Sequence, residues 1–82
     1  MEPFNALEVR RRLQSAGVLP TLQRMAVAAV LMQRPVRLGP EQVHERTREL
    51  LPTISLATVD RVLRLFARKG LLQAPGAHVT AG

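Results

Sequence analysis

Pro52–Gly70 reads PTISLATVDRVLRLFARKG, and the fold turns on how this stretch is read. Ser55 is a good helix N-cap, because its hydroxyl can accept from a free backbone N–H in the first turn. After it, Val59, Val62, Leu63 and Phe66 recur at i, i+3, i+4 and i+7, the spacing of one apolar helical stripe. At about 100° per residue, Ala57, Arg61, Arg64 and Arg68 fall together on the opposite side. Gly70 can take the left-handed conformation that closes a helix, and Lys69 sits where the helix dipole favours a cation. One face suits a core, and the other carries a line of arginines shaped to enter a DNA groove. Long basic side chains are also what a solvated face carries, so the stripe alone weighs evenly between the two.

Outward from this helix, the punctuation predicts three more helices and a short ribbon. Asn5, with Glu8 three residues on, makes a capping-box-like start to a helix of about Ala6–Ala16, which Gly17 ends. Val9, Leu13 and Ala16 form its inner face, and Arg11 points most nearly outward among Arg10, Arg11 and Arg12. Thr21 caps a second helix over Leu22–Gln33 that is apolar around most of its circumference and is expected at the centre. Gly39-Pro40 starts a third helix expected to run to about Leu51, with Val43, Thr47, Leu50 and Leu51 inward. A helix, a brief turn over Pro52–Ile54 and a second helix with a basic face make a helix-turn-helix pattern. Leu71–Ala74 and Ala77–Thr80 flank the turn signal Pro75-Gly76. The expected fold is therefore mainly α with a small β-hairpin: a winged helix-turn-helix of four helices plus a short two-stranded wing, in one domain over residues 1–82.

Composition narrows the function classes. With 46% hydrophobic residues the chain is globular. Its two aromatics, Phe4 and Phe66, leave a core of Leu, Val, Ala and Met, which favours helix-on-helix packing. The same scarcity argues against single-strand binders, which stack bases on exposed aromatics. Twelve Lys and Arg against six Asp and Glu give +6, and eleven of the twelve are arginine, which binds phosphate and guanine edges through a planar fork. An excess of this size points to an anionic partner, although arginine content also follows genomic base composition. The absence of cysteine excludes disulfides, thiolate-ligated zinc and thiol catalysis. No signal-peptide pattern occurs, and the longest apolar-rich run, Met25–Met32, is too short to span a bilayer. Nothing suggests an enzyme: there is no glycine-rich phosphate loop and no H-E-x-x-H. Glu41, Glu45 and Glu49 read as a solvated stripe pairing with Arg48 and its neighbours.

The residues SAGVLPTLQRMAVAAVL and GPEQVHERTRELLPTISLATVDRVLRLFARKGLL resemble the N-terminal domain of the Fur (ferric uptake regulator) family. Members have a first helix ending in A-G, a T-x-x-R helix, then I-x-x-A-T-V-Y-R-x-L and a closing glycine with an aliphatic residue. Here these are Ala16-Gly17, Thr21–Arg24, Ile54–Leu63 and Gly70-Leu71, and the resemblance covers about Leu7–Leu72. It implies a bacterial, cytoplasmic, nucleoid-associated transcription regulator whose partner is double-stranded DNA. Arg61 matches the family position that reads bases, and Thr58 and Arg24 match positions near phosphates. Ala57, Asp60 and Thr21 belong to the same motifs, while Arg64 and Arg68 join from helical geometry.

Departures from the family pattern carry their own expectations. The residues here stop before the family's metal-binding dimerisation domain would begin, so no metal or other cofactor is expected, and no small-molecule substrate. His44 and His78 have no partners at ligand spacing, and His44 is expected to face solvent or pair with Glu41 or Glu45. The family tyrosine is Asp60 here, which can accept from cytosine N4 or pair with Arg64 one turn on, the pairing being favoured. An AT-rich target is therefore not carried over. A basic residue of the family falls at Leu19, and others at Gln14 and Ser15, so Arg11 or Arg12 is expected to compensate. The chain would act as a weak monomer, a homodimer or beside a full-length Fur-type relative. The alternative is a protein-interaction module that docks on another regulator and binds DNA weakly or not at all.

Overall fold

Each helix begins where a side chain takes up orphan backbone donors. Asn5 Oδ1 accepts from the N–H groups of Leu7 (3.0 Å) and Glu8 (3.2 Å) and opens α1, Ala6–Ser15. The Glu8 carboxylate turns instead to Arg11 and Arg12. Thr21 Oγ1 accepts from Arg24 N–H at 3.3 Å and opens α2, Leu22–Gln33. Gly39 and Pro40 open α3, Pro40–Thr47, and Gln42 Oε1 accepts from the Gly39 N–H at 2.9 Å. Ser55 Oγ accepts from Thr58 N–H at 3.1 Å and opens α4, Leu56–Arg68. The computed structural model from which these elements are taken describes residues 5–33 and 38–71.

Two of the helices close in the same way. Gly17 and Gly70 have φ of +75° and +64°, the left-handed region that a side chain would strain. In α1 the Val18 N–H bonds back to Leu13 O and the Gly17 N–H to Gln14 O; in α4 Leu71 bonds to Phe66 O and Gly70 to Ala67 O. Each pair is a Schellman closure, which satisfies two carbonyls of the last turn.

The third helix is shorter than its expected extent to Leu51. The N–H groups of Glu49 and Leu50 bond three residues back, to Arg46 and Thr47, so the chain tightens out of α geometry after Thr47. The Leu51 N–H still reaches Thr47 O four residues back, and Pro52 bars any helix beyond by disfavouring α conformation at Leu51 before it. Leu50, expected inward, is exposed, and Leu51 is half-buried. Glu41, Glu45 and Glu49 are exposed, and among the described residues none pairs with Arg48.

The expected β-hairpin is corrected as well. Among the described residues the architecture is all-α, four helices with no strand. Leu71, the first residue of the expected wing, caps α4 through its N–H and packs partly buried against the core, so that N–H has no place in a ladder. The remainder of the expected wing, 72–80, lies outside the described residues.

At the centre, Ala26, Val27, Ala28, Ala29 and Val30 of α2 are all buried, and α2 packs on α1, α3 and α4. The core adds Val9, Leu13, Val43, Val59, Val62, Leu63 and the fully buried Phe66. Thr47, the buried polar residue among those described, donates from Oγ1 to Val43 O at 2.7 Å and leaves no orphan. Removing the α4 cap with Ser55→Ala is expected to cost about 1 kcal/mol in urea unfolding. An unchanged midpoint would show that the cap bond carries no stability.

Candidate nucleic-acid interface

Burial of Val59, Val62, Leu63 and Phe66 pins the rotation of α4 and leaves Ala57, Arg61, Arg64 and Arg68 exposed. Because α2 packs on α4, its N-terminal turn lies beside this face. Between them is an open groove of about 270 Å³ lined by Thr21, Gln23 and Arg24 of the α2 start and by Thr58, Arg61, Val62, Leu65 and Arg68 of α4. Its lining holds three guanidinium groups, two hydroxyls and no carboxylate. Backbone donors at the start of α2 add positive character to the same wall. An anion is what this groove favours.

Five residues singled out from the sequence, Thr21, Arg24, Thr58, Arg61 and Arg68, thus meet at one place. Arg24 Nη1 donates to Leu19 O at 3.1 Å, which steadies the side chain and leaves its other donors for a ligand. Ser55 Oγ donates to Thr58 Oγ1 at 3.0 Å, leaving the Thr58 proton to donate outward. Arg61 and Arg68 make no ion pair or side-chain hydrogen bond among the described residues. Gln23, Val62 and Leu65 were not anticipated as groove residues, since nothing local marks them.

The other candidates lie elsewhere. Asp60 and Arg64 occupy the flank of α4 away from the groove lining and bond to each other, Arg64 Nε to Asp60 Oδ2 at 2.9 Å. That is the favoured pairing of the two weighed for Asp60. Arg11 and Arg12 belong to α1 and face Glu8 at 3.9 and 3.4 Å, outside the groove lining.

His44 departs from expectation. It is half-buried, and its Nε2 donates to Ile54 O at 3.0 Å, tying α3 to the residue before the α4 cap. Its partner is thus a backbone carbonyl ten residues on, and neither Glu41 nor Glu45 is bonded to it. The donor set of a regulatory metal is not assembled among the described residues: no three His, Asp or Glu side chains converge, and His44 Nε2 is engaged. Among those residues no helix is long and apolar enough to cross a membrane.

No curated protein and no solved structure gives a significant match to the chain. A family profile does, over residues 15–79, and those residues include both walls of the groove. By that match the chain belongs to the Ferric uptake regulator family, a family of DNA-binding transcription regulators rather than enzymes.

Proposed function

We propose that this chain is a sequence-specific regulator that binds double-stranded DNA, with α4 as its recognition helix in the major groove. The observation that carries the reading is the groove that gathers Arg24, Arg61 and Arg68 with Thr21 and Thr58 and no acid. Arg61 faces base edges, where a bidentate pairing with guanine O6 and N7 is available. Arg24, Arg68, Thr21 and Thr58 hold phosphates and set register. Ala57, small and exposed in the first turn, lets the helix approach closely. Arg11 and Arg12, paired with Glu8 away from the groove, add at most peripheral phosphate contacts. A module of this size binds weakly alone, and a second copy or a longer relative on an adjacent half-site raises avidity. Binding does not depend on a metal held by these residues.

A second reading, docking on another regulator, has one observation in its favour. Leu19 and Leu22, on either side of Thr21, are 71% and 70% exposed. Salt decides between the two. On the DNA reading, going from about 50 to 200 mM salt raises Kd roughly 40- to 150-fold, the effect of releasing three or four counterions. EDTA leaves Kd unchanged. Absence of binding at about 10⁻⁴ M protein in low salt, the weak end of non-specific affinity, would remove the DNA reading in favour of docking.

A further inference from the structure

Arg64 differs from the other arginines of α4 in being held. Its Nε donates to Asp60 Oδ2 at 2.9 Å one turn back, with the Arg64 side chain 73% exposed and that of Asp60 43%. An exposed i, i+4 pair contributes little to helix stability, so orientation is its main effect. With Nε engaged, the two terminal amino groups of Arg64 have no protein partner among the described residues, and they form a planar fork of donors. Asp60 Oδ1 makes no hydrogen bond there either and is an acceptor beside that fork. The pair therefore offers two donors and one acceptor within one turn of α4, which can meet a base pair in the order donor, donor, acceptor.

That order has a complement in duplex DNA. The major-groove edge of a G·C pair presents two acceptors, guanine N7 and O6, followed by the cytosine N4 donor. An A·T pair presents acceptor, donor, acceptor and a methyl group, which would set donor against donor and leave the carboxylate facing an acceptor or the methyl. Resting on the DNA-binding reading above, we propose that Asp60 and Arg64 together read one G·C pair, the Arg64 fork on guanine and Asp60 on the N4 of its cytosine. Asp60 is thus both a specificity-determining residue and the one that positions Arg64. Its negative charge weakens attraction to phosphates generally, and its free oxygen gains a base partner only where N4 is present.

The test is selection from randomised duplexes by the full chain, followed by titration of the selected site and of mixed duplex. For the unchanged protein, one position of the selected site is held to G·C, and exchanging it for A·T raises Kd about 5- to 150-fold. Arg64→Ala removes that preference while mixed-duplex binding falls less than about tenfold. Asp60→Asn also lowers the preference, yet its binding to mixed duplex is equal or tighter, because a charge that repels phosphate is gone. A purely structural ion pair would not separate the two readouts. Salt-dependent binding with no G·C position sensitive to Asp60 or Arg64 overturns the assignment and leaves the DNA reading standing. Absence of binding to any duplex overturns both. Both side chains reach solvent, and far-UV circular dichroism should show that each variant keeps its helices.

Discussion

Phe66→Ala is expected to destabilise the chain by about 3–5 kcal/mol, the cost of truncating a fully buried aromatic. Phe66 has no exposed surface and is the largest fully buried side chain among the described residues. It sits in a core built otherwise of Val, Leu, Ile and Ala. Close-packed surroundings relax only partly into such a void, so a cavity term adds to the lost transfer energy. A domain of this length has about 4–12 kcal/mol of total stability, and the variant would lose a large part of it. Its backbone carbonyl also receives the Leu71 N–H that closes α4, so loosening here frays the helix end. Urea unfolding followed by circular dichroism should show the midpoint fall steeply at similar m-value. Phe66→Leu, which keeps most of the volume, should cost markedly less. A loss below about 1 kcal/mol for Phe66→Ala would show that α4 is not anchored through this residue.

Arg61→Glu is expected to weaken duplex binding at least about a hundredfold at low salt. The substitution changes the groove by two charge units between Arg24 and Arg68. On the proposed reading it removes a donor fork from the bases, worth about 1–3 kcal/mol, and places a carboxylate where phosphates would approach. A carboxylate in the groove lining would also compete with DNA phosphates for Arg24 and Arg68. Stability should move by less than about 0.5 kcal/mol, because Arg61 is exposed and makes no ion pair among the described residues. Fluorescence anisotropy on a labelled duplex reads the affinity, with Arg11→Glu as the comparison. That residue lies outside the groove lining, so at about 0.15 M salt, where charges are screened beyond about 8 Å, its effect should stay within about threefold. Equal losses for the two variants would mean that net charge governs binding and the groove does not.

Most of the helical framework was legible because its signals are local. Asn5, Thr21 and Ser55 each cap the helix that follows, and Gly17 and Gly70 each end the one before. The period of the apolar residues assigned the buried and exposed faces of α4 without reference to any partner. The Asp60–Arg64 pair was legible for the same reason, since i and i+4 are neighbours on any helix. Readings failed where a local pattern depends on its surroundings, and two show why. The apolar spacing of Leu50 and Leu51 continued the pattern of α3, but the helix ends at Thr47 and the next N–H groups bond three residues back. Pro75-Gly76 signals a turn and carries no information about a pairing partner, whereas the Leu71 N–H is bonded to a helix carbonyl.

By itself the sequence determined four helix positions, their capping, and a line of arginines opposite an apolar stripe. These follow from hydrogen-bond and steric preferences that act within about one turn of the chain. Only the tertiary structure decided that Thr21 and Arg24 share a groove with Thr58, Arg61 and Arg68, and that His44 bonds Ile54. Those residues lie on different helices, and burial of α2 against α4 is what brings them together. Helical periodicity orders side chains around one axis and says nothing of which second axis packs against it. That choice belongs to the core, where Val27 and Val30 of α2 join Val59 and Val62 of α4 in one apolar cluster.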